Sequence, residues 1–278
     1  MRSSPCVRSI PDDVIHRKLE WGAAMDMILT GARAVVTGGS RGIGQAIVNQ
    51  LTIEGCRVEY CARHLAAPAD VAHVADRVPQ GTIVDLENPT DTRTWVTQAV
   101  ERLGGLDVLV LNASAMASGF SSETWRRNSA IEIDALATIV EIAEPHLKLS
   151  AAQRGDAAIV IIGSTSALST EKRDSYGAVK AALLHVMKGL SHELIEHGVR
   201  VNMISPGPVY SKDGIWPLLE SEQPGVVKAK IKSIPLGRMG KPEEIANIAV
   251  FMCSPRARYI AGSNLVADGG RSSRVPYA

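Results

Sequence analysis

The 278-residue sequence predicts a single α/β domain, doubly wound around a parallel sheet of about seven strands. Three observations point there. From Arg33 onward short apolar runs alternate with longer amphipathic ones, and no repeat, linker or low-complexity tract interrupts them. The apolar runs are continuous, as strands buried on both faces require. A glycine-rich turn directly follows the first of them.

Taken in order, Ala34–Thr37 reads as a strand and Gly44–Ile53 as a helix. Arg57–Cys61 is a second strand, followed by a helical stretch through Val71–Val78 and a third strand at Thr82–Val84. Asp91–Arg102 is helical, Asp107–Leu111 is a strand, and Glu123–Leu149 reads as one long helix. After the strand Ala157–Ile162, Ser175–His197 carries Val179, Leu183, Val186, Leu190 and Leu194 at helical spacing on one face. Val199–Ile204, the helix Pro242–Met252 and the strand Asn264–Val266 complete the set. Residues 1–27 form an N-terminal extension, expected to be a mobile arm with a short helical turn at Val14–Trp21; 28–270 form the domain, and 271–278 a tail.

Composition excludes several classes. Lys plus Arg is 30 and Asp plus Glu 29, a formal charge of +1, with 4% aromatics, so neither a nucleic-acid footprint nor base-stacking rings are expected. No apolar run approaches the roughly 18 residues of a membrane span. The 4 cysteines show no C-x-x-C spacing and read as reduced, buried thiols rather than a disulfide framework or metal site. The first residues lack a basic segment followed by an apolar core, so a cytoplasmic protein is expected.

Thr37-Gly38-Gly39-Ser40-Arg41-Gly42-Ile43-Gly44 joins the first strand to the first helix. Glycines permit a tight turn and close approach of a pyrophosphate, which the helix N-terminus then attracts. The spacing G-x-x-x-G-x-G resembles the short-chain dehydrogenase/reductase family, and its 3-oxoacyl-carrier-protein reductase-like members in particular. The resemblance extends over roughly residues 28–270 and implies a Rossmann fold that binds a dinucleotide. By register against the family, Ala62 stands where an NAD-type Asp would hold the ribose, and Arg63, His64 and Arg41 surround that corner. Guanidiniums around a missing carboxylate suit a 2′-phosphate, so NADP (NADPH) is the expected cofactor. Glu59 lies mid-strand, out of register for a ribose ligand. The resemblance also assigns cofactor contacts to Asp85 and Leu86, to Asn112-Ala113-Ser114 (with Leu111 and Ser114 as departures from N-N-A-G), and to Pro206, Gly207, Val209 and Ser211 of a P-G-x-x-x-T-like segment.

Tyr176-Gly177-Ala178-Val179-Lys180 places a phenol and an ammonium one helical turn apart. Hydride transfer to a carbonyl leaves an alkoxide that needs a proton. A free phenol serves poorly at neutral pH, and a neighbouring Lys⁺ favours the phenolate. Ser164 ends the preceding strand, with Ser166 as the rival for its place. In the family these are the catalytic Ser, Tyr and Lys, the Lys also binding the ribose. The family's fourth position, an Asn, is best matched by Asp134, with Asn128 upstream.

The resemblance implies a homo-oligomer, a tetramer or dimer, and the Gly177, Ala178, Ala181 and Ala182 cluster would permit close helix contacts. His192-Glu193-Leu194-Ile195-Glu196-His197 spaces its histidines five apart, off one helix face, so no metal is expected. The substrate is a small carbonyl or alcohol compound. Its walls are expected from Ala115–Asn128, Ala167–Ser175 and Tyr210–Lys230, where Trp216, Pro217, Leu218 and Leu219 suggest a bulky or apolar substrate. A 3-oxoacyl thioester, with Arg126 and Arg127 meeting an acidic carrier, stands beside a secondary-metabolite ketone or a sugar-like alcohol. The alternative to an enzyme is a catalytically silent NADP(H)-binding sensor of the same fold.

Overall fold

The computed structural model describes residues 25–65, 77–170 and 173–273. Seven parallel strands form one sheet: β1 (Arg33–Thr37), β2 (Arg57–Ala62), β3 (Gln80–Ile83), β4 (Val108–Leu111), β5 (Ala157–Ile162), β6 (Val199–Pro206) and β7 (Asn264–Ala267), in spatial order β3-β2-β1-β4-β5-β6-β7. The chain reverses its direction of travel across the sheet between β1 and β4, which opens a crevice at their carboxyl ends. Successive residues of each strand face opposite layers. Val35, Leu109, Ile159 and Val201 pack with Trp95, Ile139 and Leu183 on one face, while Val36, Val110 and Val160 pack with Ile47, Leu51 and Val250 on the other.

The helices flank this sheet: α1 (Gly42–Ile53), α2 (Pro89–Leu103), α3 (Ser122–Ser129), α4 (Ala135–Arg154), α5 (Ser175–Leu194), α6 (Trp216–Glu222), α7 (Pro224–Lys232) and α8 (Pro242–Cys253). The single helix expected over Glu123–Leu149 is broken: α3 and α4 are joined by a π-helical turn at Ala130–Asp134. The third strand runs Gln80–Ile83, starting two residues and ending one residue earlier than the expected Thr82–Val84, because Glu59–Ala62 pair with Gln80–Ile83. The helix expected through Val71–Val78 and the turn at Val14–Trp21 lie outside the described residues, except that Arg77 and Val78 are not helical. Helix α5 ends at Leu194, where Ile195–His197 tighten into a 3₁₀ turn.

Candidate active site

The glycine turn is clamped from β4. A Cβ at Gly44 would lie 2.0 Å from the Gly38 carbonyl oxygen and 2.4 Å from Asn112 Nδ2, so only glycine lets the first turn of α1 close down here. Asn112 Nδ2 donates to the Thr37 and Gly38 carbonyls, 3.0 Å each. The Thr37 hydroxyl accepts from the Asn112 and Ala113 N–H groups at 2.9 and 3.0 Å. Asn112 therefore acts on the loop first, holding its shape. Helix α1 has no side-chain cap and no acid in its first turn, which leaves N–H donors and the positive dipole end for an anion.

One cavity of about 1440 Å³ runs along the carboxyl edge of the sheet. Gly38 and Ser40–Gly44 line it at one end with Arg63 and His64; Asp85, Leu86, Asn112, Ala113 and Ser114 line its middle. Ser164, Tyr176, Lys180, Pro206, Gly207, Val209 and Ser211 line the other end. The residues expected to be catalytic or to contact the cofactor thus line one cavity. Arg41 and Arg63 are exposed and have no acidic partner among the described residues. Glu59 is only 4% exposed and takes both Nε and Nη of Arg102, at 3.0 and 2.8 Å, so its carboxylate is committed away from the cavity.

Ser164 lies two residues beyond β5 and caps a 3₁₀ turn, its Oγ accepting from the Ser166 N–H at 3.1 Å. That bond orients the hydroxyl and leaves its O–H able to donate. Ser166 itself is exposed, and its carbonyl packs under Gly177, where a Cβ would lie 2.9 Å away. Gly177 thus seats α5 on the serine turn. Asp174 caps α5 by accepting from the Tyr176 N–H at 3.0 Å, and ties in the Gly119 N–H at 3.3 Å. One turn on, Lys180 Nζ lies 5.8 Å from the Tyr176 ring centroid.

The π turn brings in a residue that sequence reasoning missed. Glu132, 4% exposed, accepts from Lys180 Nζ at 2.8 Å; the same Nζ donates to the Ile162 carbonyl at 2.8 Å. Asp134, expected to fill the fourth position, is exposed and turned away from Lys180. The extra residue of the π turn rotates its side chain out while Glu132 points in. Asn128 is fully buried but serves the neighbouring loop: it bonds the Ala117 N–H and carbonyl, at 3.2 and 2.9 Å, and donates to Ser175 Oγ at 3.0 Å. The signal for Glu132 was present, since an acid between Ile131 and Ile133 in a buried run must find a cation.

Comparison with known proteins agrees with this geometry. A family model described as enoyl-(acyl carrier protein) reductase matches residues 38–272. The isoepoxydon dehydrogenase of Penicillium expansum is 36% identical over 250 residues, covering 87% of this chain and 95% of that one. The chain belongs to the short-chain dehydrogenase/reductase family. Among solved structures, the Pseudomonas aeruginosa RhlG/NADP active-site complex superposes with a TM-score of 0.78 at 30% identity, covering 90% of this chain and 99% of that one. An NADH-dependent reductase responsible for alginate metabolism, A1-R′, superposes at 0.77 with 26% identity, covering 89% and 100%. Both nicotinamide cofactors therefore occur among structural neighbours of this dehydrogenase/reductase.

The substrate side of the cavity in this family member is lined by Met116, Phe120, Arg173, Ile215 and Trp216. Met116 adopts φ 49°, a left-handed conformation that its surroundings must enforce. Arg173 stacks over the Phe120 ring at 4.8 Å, and Phe120 meets Trp125 edge-on at 5.7 Å. Of the four apolar residues expected to face substrate, only Trp216 lines the cavity; Trp216 and Leu219 both pack against the cluster of Val227, Ile234 and Met239, Pro217 is half-buried and Leu218 is exposed. Arg126 and Arg127 both pair with Glu87, at 3.4 and 3.3 Å, rather than standing as an open basic patch.

Cys56, Cys61 and Cys253 are buried free thiols; burial pushes Cys56 and Cys61 up to about 12, which keeps them protonated and unreactive. Cys6 lies outside the described residues. Among the described residues no cluster of three or more His, Cys, Asp or Glu could hold a metal ion. No helix among them is long and apolar enough to cross a membrane.

Proposed function

We propose that the protein is an NADP(H)-dependent ketoreductase, interconverting a compact ketone and its secondary alcohol. The observation that carries this reading is the convergence of Ser164, Tyr176 and a buried Lys180 at one end of a cavity whose other end is an uncapped helix N-terminus flanked by Arg41 and Arg63. Those two guanidiniums, with Ala62 in place of an acid, favour the 2′-phosphate form of the cofactor. When bound, the cofactor would supply or accept the hydride.

In the reductive direction Ser164 donates its O–H to the substrate carbonyl oxygen and holds the carbon in reach. As negative charge builds on that oxygen, Tyr176 delivers its proton. Lys180 has three N–H groups, two of them committed to Glu132 and Ile162, and the third would be available to the ribose hydroxyls of a bound cofactor. Its positive charge also stabilises the phenolate left on Tyr176. The aromatic and cationic rim of Phe120, Trp216 and Arg173 suits a flat, polar ring that can stack on aromatic faces. The enzyme is expected to work as a homo-oligomer, which light scattering would read directly.

The test is oxidation of NADPH and NADH against a panel of cyclic ketones, linear ketones and 3-oxoacyl thioesters. Turnover with NADPH, reduced about 10²–10⁴-fold in Tyr176→Phe with unchanged cofactor binding, is the expected result. Preference for NADH would overturn the cofactor assignment. Tight NADPH binding without turnover across the panel would favour the silent binding protein.

A further inference from the structure

We propose that Glu132 is a positioning residue of this site, the counter-ion that keeps the Lys180 ammonium charged and fixes its direction. The inference rests on Lys180 serving the reaction proposed above, but the ion pair is testable without cofactor or substrate. Lys180 is 2% exposed and, among the described residues, is second only to Arg200 in size among fully buried side chains. An ammonium so far from water gives up its proton unless an opposite charge faces it.

The groups around it are few. From the π turn comes Glu132, at 2.8 Å; from its own helix comes Tyr176, one turn earlier; from β5 comes the Ile162 carbonyl, an uncharged acceptor. Burial pulls Lys180 down, and Glu132 and Tyr176 outweigh it, leaving the ammonium held above the ordinary lysine range. The carboxylate is not a satisfied structural element. Its Oε1 is buried with no hydrogen-bond partner among the described residues, beside a cavity of about 10 Å³ lined mostly by Leu and Ile. A pair retained for stability alone would be better replaced by two apolar side chains. An acid kept with one orphaned oxygen, in a π turn that departs from the flanking helices in order to point it at Lys180, is explained by what it does to that lysine.

The test is Glu132→Gln, which keeps shape and removes charge, read by thermal unfolding of the cofactor-free protein between about pH 6 and pH 10. In the native protein Lys180 is charged in both folded and unfolded states over that range, and contributes no slope. In Glu132→Gln the folded lysine loses its proton while the unfolded one keeps it. Unfolding then takes up a proton, and the variant gains stability as pH rises toward the ordinary lysine value. The unfolding temperature of the variant is therefore expected to lie well below native at pH 6 and to close the gap by pH 10. Glu132→Gln combined with Lys180→Met is expected to abolish the slope, and Glu132→Asp to restore a flat profile. A gap that stays constant with pH, or a slope that survives in the double variant, overturns the proposal. Should Glu132→Gln fail to fold, ¹⁵N-lysine NMR of the native protein decides. An Nζ that stays protonated beyond the ordinary lysine range is expected, and one that deprotonates below it overturns the idea. Where turnover is found, Glu132→Gln is expected to lower kcat about 100-fold with KM for the ketone little changed. Failure of turnover alone would bear on the proposed function and leave the stability result intact.

Discussion

Two buried cations sit at opposite ends of the same pair of strands, and they are finished differently. Arg200, near the start of β6, spends five hydrogen bonds: two on Asp156, at 2.8 and 3.1 Å, and three on the Met252, Ser254 and Ala257 carbonyls around the end of α8. Five donors are all the guanidinium has. Lys180, at the carboxyl end of β5, spends two of three, and its partner Glu132 keeps an orphaned oxygen. A completed network at the amino edge locks the core. An incomplete one at the carboxyl edge leaves a donor for a ligand, which is where ligands of open α/β sheets bind.

The largest effect expected outside the site is from Arg200→Met. It strands Asp156 and three carbonyls in the core and should cost about 3–5 kcal/mol in urea unfolding. Next is the pair Arg41→Ala with Arg63→Ala, which removes the expected phosphate contacts. NADPH affinity should fall roughly 10–100-fold by fluorescence titration, as loss of charged hydrogen bonds of about 1.5–3 kcal/mol implies, while NADH affinity holds. An equal loss for both cofactors would mean that these arginines do not contact the 2′-phosphate.

The smallest effect concerns Asp107, at the amino edge. Burial pushes its carboxyl up, but hydrogen bonds from Arg33, at 2.7 and 3.0 Å, and from Ser150 outweigh this and hold it below the usual carboxylate range. A depressed acid contributes stability that is present above its unfolded value and is lost as pH falls through the folded one. Asp107→Asn should therefore cost about 1–2 kcal/mol at pH 7, and the difference from native should shrink below about pH 4. A difference independent of pH would mean that shape rather than charge matters there.

The amino acids disclosed the frame better than the finish. Strands such as Ala157–Ile162 were legible because a parallel sheet demands continuous apolar runs, and the glycine turn because strand, turn and helix follow each other in sequence. Tyr176 and Lys180 were legible for a local reason, four residues on one helix. Glu132 was legible only as an acid in a buried run, because Ala130–Asp134 reads as uninterrupted helix and the cation it meets lies 48 residues away. Asp134 matches the fourth position only if Ala130–Asp134 is regular helix, which it is not. The expected substrate wall was half legible: Trp216 reaches the cavity, whereas whether Leu218 or Leu219 faced inward depended on how two short helices pack.

The central claim is that the carboxyl edge performs the chemistry while the amino edge holds the fold. Turnover of NADPH per folded molecule, measured side by side for Tyr176→Phe and Arg200→Met, tests it most directly. The account predicts Tyr176→Phe fully folded at native unfolding temperature and at least about 100-fold slower. It predicts Arg200→Met markedly less stable and yet, in the fraction that is folded, as fast as native. Native-like turnover in Tyr176→Phe, or lost turnover in folded Arg200→Met, would contradict it.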